Sequence, residues 1–129
     1  MVEPMNLRVD HPGYSLPTSE AVIEVCREVG SDALGINWDL YHLQISEGDL
    51  TGHFVEGFPW VAYVQIADHP GRHEPGTGEI DYAYVLRNIT DQGYTGPIGL
   101  ECSPKATEEV AVDRLVTVAQ LAGLVPRIA

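Results

Sequence analysis

At 129 residues, 44% hydrophobic and 20% charged, the chain has the make-up of one folded globular domain over residues 1–129. It is too short for a complete (β/α) barrel, which takes about 250 residues. Nineteen Asp and Glu against seven Lys and Arg give a formal net charge of −12 with no basic cluster, which argues against nucleic acid and anionic lipid as partners.

Met1 to Met5, short and apolar around Glu3, precedes the turn-forming run Asp10-His11-Pro12-Gly13 and is expected to be an opening strand. From Ser19 to Val29, residues Ala21, Val22, Val25, Cys26 and Val29 recur on one helical stripe, with Thr18 or Ser19 as N-cap and Gly30 as the stop. Leu34 to Trp38 has the continuous apolar character of a strand buried on both faces, and it ends at Asp39. Leu40 to Gly57 predicts a helical connection in two pieces broken near Gly48, and Trp60 to Ile66 a second apolar strand with Gln65 near its end. Asp68 to Glu79 holds Pro70, Gly71, Pro75, Gly76 and Gly78, too many breakers for regular structure, so a long loop is expected. Tyr82, Val85, Leu86 and Ile89 then fall at helical spacing before Gly93. Pro97 to Leu100 predicts a last short strand ending at Glu101, and a final helix runs from about Thr107 to Ala122 with Val110, Leu115, Val118 and Leu121 inward.

No run reaches the ~20 apolar residues of a membrane span, and Met1 to Asn6 lacks the basic and apolar regions of a secretion signal. Cys26 and Cys102 show no CxxC spacing, so two reduced thiols in a cytoplasmic protein are expected.

Strand and helix alternate four times, the pattern of an α/β fold with parallel strands and helical crossovers. Half of a (β/α)8 barrel and a small open doubly wound sheet both satisfy that pattern, and periodicity does not separate them. The polar residues say more. Glu3, Asp39, Gln65 and Glu101 stand at or near the ends of four successive strands, 36, 26 and 36 residues apart, which is about one βα unit each. Three carboxylates and an amide oxygen converging on one rim would suit a hard divalent cation such as Mg2+ or Mn2+. Taken singly, each is equally a helix N-cap or a surface residue. His69, His73 and Glu74 lie too irregularly for a metal motif and are expected to shape the loop. Gly76-Thr77-Gly78 lacks both the P-loop lysine and the GxGxxG spacing, so neither ATP nor NAD is expected.

Three segments, Val2-Glu3-Pro4-Met5-Asn6, Trp38-Asp39-Leu40-Tyr41-His42-Leu43-Gln44 and Gly71-Arg72-His73-Glu74-Pro75-Gly76-Thr77-Gly78-Glu79-Ile80, resemble the hydroxypyruvate isomerase family of xylose-isomerase-like barrels. The resemblance runs from Glu3 to about Pro104 and implies half of a (β/α)8 TIM barrel, four βα units with parallel strands, beginning at what matches the fifth strand. It implies Glu3, Asp39, Gln65 and Glu101 as ligands of Mg2+ or Mn2+, with Glu3 and Glu101 as the acid/base pair. A glutamine as third ligand resembles this family more than the ketose 3-epimerases, where a histidine is the pattern. The reaction it implies is isomerisation of hydroxypyruvate, or a related small hydroxy-carbonyl substrate, to tartronate semialdehyde through an enediolate. His42 would hydrogen-bond a substrate oxygen, and the planar fork of Arg72 would hold a substrate carboxylate. A half-barrel is expected to close by homodimerisation or with a complementing N-terminal half-barrel chain. Three other readings are a metal-binding half-barrel without turnover, a truncated fragment, and a sugar epimerase of the same superfamily.

Overall fold

The computed structural model of the protein describes residues 1–124, so the last five residues of the expected 1–129 domain lie outside the described residues. The backbone packs as two compact units, residues 1–65 with 96–99, and residues 66–95 with 100–124.

The first unit holds the sheet. Strands β1 (Ile36–Asp39), β2 (Val61–Ile66) and β3 (Ile98–Leu100) lie in the order β1-β2-β3, and the last residues of β2 and β3 belong to the second unit. β1 and β2 are parallel, with Asn37 beside Tyr63 and Asp39 beside Gln65. The expected opening strand is present as a single parallel bridge, Val2 to Ile36, closed by Val2 N–H to the Gly35 carbonyl and Asn37 N–H to the Val2 carbonyl. Tight turns begin at Leu7, which leaves too little extended chain for a longer ladder. β1 is buried along its whole length, as a strand covered on both faces should be.

Helix α1 (Ser19–Val29) starts where the Thr18 hydroxyl accepts from Ala21 N–H, and it stops at Gly30 in the left-handed conformation. Its buried positions are Ser19, Val22, Ile23 and Cys26. Val29 is 55% exposed, because the buried stripe runs through Ile23 rather than out to the helix end. The connection after β1 is two helices, α2 (Leu40–Ser46) and α3 (Leu50–Gly57), followed by a 3-10 turn over Phe58–Trp60. Trp38 points away from Asn37 and Asp39 and meets Phe54 edge-on with ring centroids 5.9 Å apart. A Cβ on Gly57 would stand 2.2 Å from the Trp38 ring, so only glycine ends α3 there. Burying Trp38, Leu40, Leu43 and Phe54 stabilises this unit by about 1.5–3 kcal/mol per side chain.

In the second unit α4 (Tyr82–Asp91), capped by Asp81, packs on α5 (Glu108–Leu121), capped by Thr107. The expected inward residues of α5 are corrected in part: Val110 and Leu121 are 40% and 60% exposed, and the buried positions are Ala111, Ala119 and Ala122. That stripe is as helical as the expected one but turned by one position, so small residues allow close approach to α4. Among the described residues no helix is long and apolar enough to cross a membrane.

Candidate functional site

Strand geometry fixes which side chains share a face. Asn37 and Asp39 are two apart on β1 and so point the same way; Gln65 is Asp39's partner on β2, and Glu3 follows the Val2 to Ile36 bridge on the other side. Three backbone segments therefore send polar groups to one place in the first unit. Asn37 Nδ2 donates to Glu3 Oε2 at 2.8 Å and to Gln65 Oε1 at 2.5 Å. Asp39 ends β1 and caps α2: its Oδ1 accepts from Tyr41 N–H at 2.8 Å and His42 N–H at 3.2 Å. Its Oδ2 lies 3.8 Å from His42 Nε2, and Glu3 Oε1 lies 4.0 Å from the same nitrogen. Glu3, Asp39 and His42 thus bring one ligand-type atom each within 4.8 Å of one another.

The ring of His42 is fully buried, and its partners decide its tautomer. Nδ1 faces two donors, the Asn6 backbone N–H at 3.3 Å and Asn6 Nδ2 at 2.7 Å. The Asn6 amide cannot be turned around, because its Oδ1 accepts from Val9 and Asp10 N–H while Nδ2 also donates to Asp10 Oδ2. Nδ1 is therefore an acceptor and the neutral ring carries its proton on Nε2, aimed at the Glu3 and Asp39 carboxylates. An imidazole that ligates a metal has its other nitrogen donating, the reverse of this arrangement. The atoms of this unit that could hold a cation are thus oxygens, those of Glu3, Asp39 and Gln65. Two carboxylates and an amide oxygen fit Mg2+ or Mn2+.

Glu101 and Arg72 belong to the second unit, where Arg72 Nη2 donates to Glu101 Oε2 at 2.5 Å. Arg72 has a φ of 55°, a left-handed conformation uncommon for a residue with a Cβ, and its carbonyl accepts from Ser103 N–H at 2.7 Å. The loop that presents it is built on Asp68, a fully buried residue expected only to open that loop. Asp68 Oδ2 accepts from the N–H groups of Gly76, Thr77 and Gly78 at 2.8, 3.0 and 2.9 Å, and Oδ1 from those of His69 and Ile80. The glycine-rich amides that could cradle a phosphate are thus occupied by the protein's own carboxylate. A Cβ on Gly78 would stand 2.1 Å from the His69 carbonyl oxygen, which explains that glycine. The signal in the sequence was a carboxylate immediately after an apolar strand and before a glycine-rich loop.

Glu74, also buried, accepts from Lys105 N–H at 3.0 Å, and this bond holds its carboxyl below the ordinary carboxylate range. A lowered folded value means that its stabilising contribution is complete at neutral pH and lost as pH falls through that value. Melting curves of wild type and Glu74→Gln should therefore be furthest apart near neutrality and converge on acidification; a gap independent of pH would contradict this.

Comparisons with known proteins agree with this architecture. A family model described as a xylose isomerase-like TIM barrel matches residues 1–117. The hydroxypyruvate isomerase of Escherichia coli (strain K12) is 38% identical over 112 residues, covering 87% of this chain and 43% of that protein. The 2-oxo-tetronate isomerase of Cupriavidus necator is 40% identical over 106 residues, covering 82% of this chain and 40% of that protein. A crystal structure described as an AP endonuclease, family 2, from Brucella melitensis superposes with a TM-score of 0.84 at 34% identity, over 90% of this chain and 45% of that one. The chain spans about two fifths of the length of the curated relatives it matches. Parallel strands alternating with helices, and a family match over nearly the whole length, decide between barrel and open sheet: the chain belongs to the xylose isomerase-like TIM barrel family and holds part of such a barrel.

Proposed function

We propose that this chain carries the metal-holding part of an isomerase that moves a proton between adjacent carbons of a small 2-hydroxy carbonyl acid of the hydroxypyruvate type. The observation that carries the reading is the meeting of Glu3, Asp39 and His42 ligand-type atoms within 4.8 Å, with the Gln65 oxygen drawn to Glu3 through Asn37. Glu3, Asp39 and Gln65 would hold Mg2+ or Mn2+. Glu101 and Arg72 enter by their likeness to the family motif, Glu101 as fourth ligand and Arg72 as the carboxylate-binding group. A divalent cation bound there would polarise the carbonyl and offset the charge of an enediolate.

The chain's own residues account for the proton movements. One carboxylate, Glu3 or Glu101, takes the proton from the carbon bearing the hydroxyl, a carboxylate returns one to the neighbouring carbonyl carbon, and the hydroxyl proton passes to the former carbonyl oxygen. The electron pair stays within the substrate, so the conversion of hydroxypyruvate to tartronate semialdehyde needs no outside oxidant. His42 Nε2–H donates to a substrate oxygen, a role its tautomer suits. The E. coli and C. necator relatives are named for 2-oxo acids, which carry the carboxylate that a guanidinium recognises. The Brucella protein is described as an endonuclease, but a stretch with a net charge of −12 would repel a phosphate backbone.

The test is conversion of hydroxypyruvate by the intact protein, with any partner chain it carries. EDTA should abolish the reaction and Mn2+ or Mg2+ restore it; a Mn2+-loaded protein without conversion would overturn the proposal. In the same assay Arg72→Lys should raise KM about tenfold with a smaller change in kcat, because a point charge replaces a planar fork. An unchanged KM removes Arg72 from substrate binding.

A further inference from the structure

Asn37 is not accounted for by packing. It is only 8% exposed, it stands two residues before Asp39 on the same face of β1, and its Oδ1 is buried without a hydrogen-bond partner among the described residues. A leucine of similar size would avoid that desolvation, so the amide is retained at a cost to stability. What the amide does is visible at its other end, where Nδ2 donates to both Glu3 Oε2 and Gln65 Oε1.

We infer that Asn37 is a positioning residue for the cation-holding oxygens: its amide sits below them in the strand and fixes the direction of two ligands at once. The Gln65 amide has two faces, and only Oε1 can hold a cation. By donating to Oε1, Asn37 selects that face and leaves the second lone pair of Oε1 for an ion, and it likewise fixes the Glu3 carboxylate while leaving Oε1 unengaged by Asn37. Groups that orient ligands in this way commonly set metal affinity by ten- to a hundredfold. The inference rests on the metal reading above, and it can fail while that reading stands.

The experiment measures Mn2+ affinity of the intact protein by titration calorimetry, beside melting of the metal-free form, for wild type, Asn37→Leu and Asn37→Ala. Asn37→Leu should melt at or above the wild-type temperature without metal, yet bind Mn2+ about tenfold or more weakly. Asn37→Ala adds no atoms, folds where leucine does not fit, and should show the same loss of affinity. Either folded variant binding Mn2+ with the wild-type Kd overturns the inference, as does a fall in melting temperature with affinity unchanged. A wild-type protein that binds no Mn2+ overturns the metal reading and this inference with it.

Discussion

Glu3→Gln should lower turnover of hydroxypyruvate by about 10³-fold and weaken Mn2+ binding, while leaving the fold intact. The substitution keeps side-chain volume and an oxygen that can still accept from Asn37 Nδ2, so the contact at 2.8 Å survives. What it removes is the carboxylate charge 4.0 Å from His42 Nε2, which in the proposed reaction would help hold a cation and, with Glu101, relay the proton. Melting temperature is expected to change little, because Glu3 is only part-buried and its neighbouring backbone bridge at Val2 does not involve the carboxylate. Rates within a few-fold of wild type, measured with saturating Mn2+, would remove Glu3 from both roles.

The parts of this site differ in how far they could be read from the sequence, and the reason is the range of the interactions involved. Asp39 was legible because a carboxylate after a continuous apolar run is both a strand end and an N-cap, and both are local patterns. The caps at Thr18 and Thr107 and the break between α2 and α3 are local in the same sense. The opening strand was overread: an apolar stretch around Glu3 shows extended chain but not how many residues find a ladder partner, and only Val2 does. Asn37 and the Asn6 contact with His42 left no periodic signal, since the partners involved lie 28 to 36 residues apart in the chain. The tautomer of His42 follows from Asn6 and was likewise invisible. The helical period of α5 was right and its phase was wrong, because alanines carry the buried stripe and give a weaker hydrophobic pattern than the valines and leucines beside them.

Asp68→Ala is expected to cost about 3–5 kcal/mol of stability, more than any other single truncation of a loop residue in the second unit. Five backbone N–H groups converge on this one carboxylate, from His69, Gly76, Thr77, Gly78 and Ile80. Gly76 and Gly78 are exposed enough to find water after the change, but Ile80 is buried and its amide would be left without an acceptor. The loss should lower the melting temperature by about 10–20 °C in a domain of this class. Asp68→Asn makes the sharper test, since it keeps shape and places an NH2 where an oxygen now meets amide donors. Whichever way that amide turns, at least two backbone N–H groups face a donor instead of an acceptor. Its effect should be smaller than that of alanine but confined to the loop, with hydrogen-exchange protection lost either at His69 and Ile80 or at Gly76, Thr77 and Gly78, according to which oxygen becomes the NH2, before α4 or α5 is affected. Because the loop carries Arg72 in a left-handed conformation, its loosening should also raise KM for a carboxylate substrate more than it lowers kcat. A variant that melts within 2 °C of wild type, on the same order-of-magnitude scale, and keeps all five amides protected would show that the loop is held by something other than its buried carboxylate.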